Sequence, residues 1–378
     1  MFLTQLDLTD FRNYQRLTVD FESHKIILLG NNAQGKTTLL EAVNLLSTGK
    51  GLIANRDADM VRWGASQAVI RSKIKKELTD LSIDMLLRVN GRRAVKIDGL
   101  HQRRLADIFG KLLVVLFRSD DLELVRGGPA TRRDYLDLML MQLSGTYYQC
   151  WHDYQRVLAQ RNALLRSLAE GRDSDAEVAH WDDALIRLGI QIWRWRQRLI
   201  TAIAGDAAER YLVMSDHQEQ LTLRYLPSMP LDGDVDTWSD RMATMLTSLR
   251  RREIARRQSL LGPHRDDLEL LLNDRPARLF ASQGQQRSIV LALKLAELSH
   301  LQRVAQEAPI LLLDDVLAEL DVKRQNALLN AIGDDIQTLV TTTHLNDFSA
   351  QWLRQAAIYH VSQGSLTRDH TNGYTETR

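Results

Sequence analysis

The first 120 residues read mainly as strands. Leu17 to Phe21 alternates apolar and polar positions, Leu3 to Leu8 is a second short apolar-rich run, and Asp10-Phe-Arg-Asn-Tyr14 between them is turn-like. Ile26 to Leu29 is apolar without a break, the pattern of a strand buried on both faces, and Thr38 to Leu46 follows with helical character. Leu81 to Val89 and Ala94 to Ile97 flank Asn90-Gly91, a hairpin signal because both positions tolerate positive φ. From about Asp121 the apolar positions shift to a 3-4 spacing. Trp151, Tyr154, Leu158, Leu165 and Leu168 form one stripe, with Arg161 in a seam position; Leu185, Leu188, Ile192, Trp195, Leu199 and Ala202 form another. The polar stretch Glu170 to Asp175 joins them, so the pattern predicts an antiparallel helical hairpin, about 20 residues and roughly 30 Å per arm. After Pro276 the pattern returns to α/β. It predicts a helix over Ile289 to Leu301, a buried strand over Ile310 to Leu313, a helix over Lys323 to Ile332 and a strand over Leu339 to Thr343. No internal repeat is present, and the tail after about Ser365 reads as disordered.

These elements predict an α/β fold with a largely helical insertion. Residues 1–120 and 259–378 would make one lobe, and 121–258 the insertion with its short arm. A chain of 378 residues, 44% hydrophobic and 26% charged, has ample core for this. The single cysteine, Cys150, excludes an intramolecular disulfide and a multi-cysteine zinc site, which suits a reducing cytoplasm. No apolar run reaches the roughly 20 residues of a membrane span, and the N-terminus lacks the pattern of an export signal.

The net charge of +1 gives no global pull toward nucleic acid, but the charge is sorted. Arg250, Arg251, Arg252, Arg256 and Arg257 form one basic cluster, and Arg88, Arg92, Arg93, Lys96, Arg103 and Arg104 another; His300 to Asp347 leans acidic. This sorting suits a basic face for phosphate backbones, although a solvated helix face would read the same. Trp193-Arg-Trp-Arg196 also has two readings: an aromatic–basic interleave for stacking on bases, or core packing, with Trp195 on the apolar stripe and Trp193 off it.

Chemistry enters with Gly30-Asn31-Asn32-Ala33-Gln34-Gly35-Lys36-Thr37-Thr38. This G-x-x-x-x-G-K-T loop lies between the buried strand and the helix, where free backbone N–H groups and the helix dipole converge on one anion. Lys36 would bridge the β- and γ-phosphates and Thr37 would hold Mg²⁺. Ile310 to Leu313 ends in Asp314 and Asp315, of which the first would hold Mg²⁺ through water and the second orient an attacking water. Asp321 follows in a D-loop-like segment, and His344 sits after the next strand, where a switch histidine contacts the γ-phosphate. Ser282-Gln283-Gly284-Gln285 precedes the Ile289 helix and offers a serine hydroxyl and N–H groups as a second anion site. The order of phosphate loop, signature, paired acids, D-loop and histidine is that of an ATP-binding-cassette ATPase, in which the signature closes on ATP held by a second copy.

The segments Asp10 to Tyr14, Asn32 to Glu41, Arg132-Arg133 with Leu136-Asp137, Gly262 to Asp267, Ser282 to Arg287 and Leu313 to Asp321 closely resemble the RecF family of SMC-like cassette ATPases over nearly the whole chain. The resemblance implies an ATP- and Mg²⁺-dependent homodimer that binds gapped DNA and duplex–single-strand junctions. It further implies work with RecO and RecR partners to place RecA, and weak, DNA-stimulated ATP hydrolysis. Two departures stand out. Arg118-Ser-Asp-Asp121 occupies the region of the cassette glutamine loop without a glutamine, and Gly51 replaces the family's serine after Gly49-Lys50.

Three other functions fit less well. A transporter motor would need a glutamine loop and no inserted arm, whereas roughly 240 residues separate Thr38 from Ser282. A long SMC-type tether needs arms of hundreds of residues, and this seam runs about three heptads. A nuclease would need a further His/Asp metal cluster.

Overall fold

A computed structural model describes residues 1–52, 56–172 and 175–369. The chain divides into two compact units. The first comprises residues 1–121 with 290 onward, and the second runs from Leu122 to Ile289. Among the described residues no helix is long and apolar enough to cross a membrane.

The first unit contains two six-stranded sheets. One is antiparallel in the order Tyr14–Asp20, Phe2–Phe11, Gln67–Lys75, Leu81–Arg88, Ala94–Ile97, Leu100–His101. Its strands alternate buried and accessible positions, as sheets with one covered face do. The other has five parallel strands in the order Ala356–Ser362, Lys25–Leu29, Thr338–Thr342, Ile310–Asp314, Val114–Arg118, with Ser365–Arg368 added antiparallel at one edge. The three central strands are buried without alternation because the sheet is covered on both faces; Ile26, Ile27, Leu311, Leu312, Leu339 and Val340 are all fully buried. The helix Lys36–Thr48 packs against this sheet and buries nearly every residue it has.

In the second unit, the hairpin is formed by Gly145–Ala169 and Asp175–Met214 and is longer than its sequence seam suggests. Asp173 and Ser174 of the connecting stretch lie outside the described residues. The helix Val235–Arg256 packs on both hairpin helices. Arg161 explains the polar seam position: its guanidinium is fully buried and reaches Asp182, Glu253 and Ser259 at 2.8, 2.6 and 2.7 Å.

Five expectations need correction. Trp195, read as core from its place on the stripe, is only partly covered, whereas Trp193 takes the core-packing alternative, completely buried with its indole N–H donated to Asp266 at 2.8 Å. The helical insertion also carries a three-stranded sheet, Leu221–Leu226, Asp267–Leu272 and Arg275–Pro276. Pairing with Leu221–Leu226 holds residues 267–272 in the second unit, which therefore extends past 258 to Ile289. The helix expected from Ile289 begins at Gln283 and continues to Ala305. Ser365–Arg368 pairs as a strand instead of continuing a disordered tail; residues 370–378 lie outside the described ones.

Candidate nucleotide site

The central parallel strand Lys25–Leu29 delivers the chain into the phosphate loop, and the loop ends at the N-terminus of the helix Lys36–Thr48. Among the described residues no side chain caps that terminus, so its first N–H groups face the loop as donors. Gly35 holds φ at 112°, in the region that favours glycine, and a Cβ there would stand 2.5 Å from the Asn13 amide nitrogen and 2.9 Å from the Tyr14 hydroxyl. These two residues brace the loop: Tyr14 donates to Gly35 O at 3.1 Å and Asn13 to Gln34 O at 3.1 Å. Burial pushes the Tyr14 hydroxyl far above its usual pKa, so it stays a donor. Gln34 is held from the opposite side, its amide oxygen accepting from Gln363 N at 2.8 Å. Lys36 folds over the loop and donates to Gly30 O and Asn31 O at 2.7 and 3.1 Å, while Asn31, Asn32 and Ala33 remain exposed.

The paired acids lie beside the loop. Thr37 donates its hydroxyl to Asp314 Oδ1 at 2.8 Å, and Thr341, on the strand between the two, donates to the same oxygen at 3.0 Å. Burial raises the Asp314 pKa, partly offset by these two hydroxyl donors. A desolvated carboxylate beside a threonine hydroxyl, balanced mainly by neutral donors, suits a divalent cation that takes its remaining ligands from phosphate and water. Among the described residues no cluster of three or more His, Cys, Asp or Glu could hold a metal without such help. Asp315 has a φ of 53°, and its N–H is fixed by Thr341 Oγ1 at 2.8 Å. Together with Lys36, Thr37 and Thr38 it lines an open cavity of about 700 Å³.

His344 is placed at the other end of the loop, lining a hollow with Gly30, Asn31 and Gln34. Its Nε2 lies 3.3 Å from Asp347 and its Nδ1 2.9 Å from the Thr343 hydroxyl. Asp321 caps the helix Val322–Ala331 through the Arg324 N–H at 2.9 Å and pairs with the Arg324 guanidinium.

Ser282, Gln283, Gly284 and Gln285 belong to the second unit, while the phosphate loop and the acids belong to the first. Ser282 and Gln285 form a reciprocal capping box. The Ser282 N–H donates to Gln285 Oε1 at 2.6 Å, and the Gln285 N–H donates to Ser282 Oγ at 3.3 Å. Gln285 is steadied further by Glu219, and Gln286 by Arg126 at 2.6 Å. The Ser282 hydroxyl, accepting from one backbone N–H, keeps its own proton to donate outward.

Residues 2–367 match the family model described as "RecF/RecN/SMC N terminal domain". Relatives from Cyanothece sp. and Gloeobacter violaceus, each named DNA replication and repair protein RecF, are 45% and 44% identical, cover 97% of this chain and are themselves covered to 98%. The chain belongs to the RecF family. Two solved structures described as the recombination mediator protein RecF in the RecFOR pathway, one with ATP and one with ATPrS, are 27% identical, cover 97% of the chain, and are covered to 97% and 98%; their TM-scores are 0.89 and 0.90. An Smc head at 16% identity and a TM-score of 0.54, with 98% of each chain covered, shares the fold.

The family's Arg12 and Glu41, noticed in the sequence only as parts of the resemblance, form a two-pronged ion pair, Nε and Nη2 each 2.8 Å from a carboxylate oxygen. Glu41 is fully buried and also accepts from Leu52 N at 2.9 Å, which ties the first helix to the segment after it. In the glutamine-loop region of this RecF-family chain, Asp121 accepts from Arg118 N at 2.8 Å and Asp120 pairs with Arg118 at 2.9 Å, so both acids are engaged locally. The basic clusters separate into two kinds. Arg93 is tied to Asp57 and Arg250 to Asp182, whereas Arg251, Arg252, Arg256 and Arg257 are exposed at the end of their helix, as are Arg92, Arg103 and Arg104 in the first unit.

Proposed function

We propose that this chain is an ATP-governed DNA-binding protein of replication and repair, in which ATP joins two copies and hydrolysis releases them. The observation that carries this reading is the convergence of Lys36, Thr37 and Asp315 on one open cavity, with Asp314 bonded to the Thr37 hydroxyl, while Ser282, capped and offering its hydroxyl, is held in a separate unit. Lys36 and the loop N–H groups would bind the phosphates, Thr37 and Asp314 would hold Mg²⁺, and Asp315 with His344 would face the γ-phosphate. When bound, the cation would supply charge neutralisation between the phosphates. Gly30 to Thr38, Gln283 to Gln285 and Asp321 complete the nucleotide-binding set. The signature of a second copy would finish each pocket, so turnover is slow and the nucleotide acts mainly as a switch of residence on DNA.

Gapped DNA and duplex–single-strand junctions are the proposed substrates, with RecO- and RecR-type partners and assistance to RecA loading. The solved relatives' description within the RecFOR pathway supports this, as do the exposed arginines at 251–257. A cytoplasmic setting agrees with the single buried thiol. Fluorescence anisotropy with gapped, duplex and single-stranded DNA, each with ATP and with ADP, tests the reading. Tighter binding of gapped DNA with ATP than with ADP is expected; equal affinity in both nucleotide states would sink it.

A further inference from the structure

Trp63 is 97% exposed, an unusual setting for the largest apolar side chain, yet its backbone is closely held. Arg62-Trp63-Gly64-Ala65 forms a turn closed by Ala65 N to Arg62 O at 2.9 Å, with Gly64 at φ 85° in the third position, where a type II turn needs it. Arg62 ties this turn to the end of the first strand twice, through its N–H to Asp10 O at 2.8 Å and its guanidinium to Asp10 Oδ1 at 2.7 Å. The same strand end continues into Asn13 and Tyr14, which brace the phosphate loop. Trp63 is thus a solvent-facing ring on a support shared with the nucleotide cradle.

The ring also lies on the wall of that cradle. The 700 Å³ cavity containing Lys36 and Thr37 is bounded away from the loop by Asp59, Val61 and Trp63, and among the described residues Trp63 is its one aromatic lining residue. A nucleoside triphosphate anchored by its phosphates at Lys36 must place its sugar and base elsewhere in the same groove. A planar base in water gains most by covering a π face, and every base has one.

We propose that Trp63 is the platform on which the purine base of the bound nucleotide stacks, setting affinity for the nucleoside part while the loop sets affinity for the phosphates. This rests on the phosphate-loop reading above, and the test separates the two. The protein, Trp63→Ala and Trp63→Phe are titrated calorimetrically with ATP and with inorganic tripolyphosphate, both with Mg²⁺. Trp63→Ala should weaken ATP about ten-fold, from the worth of one base–aromatic stack. Tripolyphosphate binding should be unchanged, and Trp63→Phe should restore most of the ATP affinity. ATP binding by Trp63→Ala equal to that of the unaltered protein overturns the proposal. So does equal weakening of ATP and tripolyphosphate, which would make Trp63 a support of the loop. An ATP effect that appears only at concentrations where the protein self-associates would assign the ring to contact with a second copy and likewise overturn it. Failure of the unaltered protein to bind either ligand removes the phosphate-loop reading itself, and the stacking proposal with it.

Discussion

Replacing Arg161 with methionine should destabilise the second unit by stranding one of its buried partners. The guanidinium holds three partners, but they are not equally exposed to its loss. Asp182 keeps Arg250, and Ser259 keeps Asn162 at 2.7 and 2.8 Å. Glu253, fully buried, keeps the neutral Leu260 N–H at 2.8 Å and no longer faces a guanidinium. The dominant cost in Arg161→Met is therefore a carboxylate left desolvated, for which roughly 3–5 kcal/mol is expected. Urea unfolding at pH 7 followed by tryptophan fluorescence measures it, with Arg161→Met/Glu253→Gln as the control. The double variant should recover most of the loss, because it removes the unpaired charge. A deficit below about 1 kcal/mol, or a double variant no more stable than Arg161→Met, would show that the buried carboxylate is not the source of the cost.

Three further outcomes follow from the same geometry. Ser282→Asp retains a good helix cap but sets a negative charge at the signature, so it should bind ATP normally and fail to form the ATP-dependent dimer, as read by light scattering; unchanged dimer formation would remove Ser282 from the interface. Arg251→Ala/Arg252→Ala should lower both DNA affinity and the slope of log K against log salt, by about 0.9 for each duplex phosphate the protein no longer neutralises; an unaltered slope would place DNA elsewhere. Burial, with the Arg265 and Arg133 charges adding to it, lowers the His264 pKa to about 4. The unfolded histidine takes up a proton first, so stability should fall as pH drops from about 6.5 toward 4. His264→Gln should flatten that limb of the stability profile, and an unchanged limb would show another group responsible.

The parts of the site carried by local chain chemistry were legible in the sequence. A glycine-bounded loop between a buried strand and a helix dictates its own geometry, and Ile310 to Asp315 needs only a parallel neighbour to bring its acids to Thr37. What was not legible depends on distant partners. Trp193 lies off the helical stripe, yet Asp266, 73 residues later, gives its indole N–H a buried acceptor. Arg161 resembled a flaw in an apolar seam until Asp182 and Glu253 closed around it. Residues 221–226 and 267–272 are short strands in a helix-rich stretch, and each makes sense only as the other's pairing partner. Ser365–Arg368 is different: it folds back on the adjacent strand Ala356–Ser362 through the Gln363-Gly364 turn, a local hairpin signal that the polar tail around it obscured. Tyr14 and Asn13 were visible as motif letters, but their role as braces appears only when the first strand's end meets Gly35.

In the proposed cycle ATP is bound between two copies of this chain, each supplying Ser282 to the other's phosphate loop. Sedimentation velocity of the unaltered protein with saturating ATP and Mg²⁺, set against the same sample in ADP, measures this without any substitution. A species of twice the 43.2 kDa chain mass is expected in ATP, and the single chain in ADP. A single chain in both nucleotides, with DNA added and hydrolysis proceeding at its full rate, would contradict it.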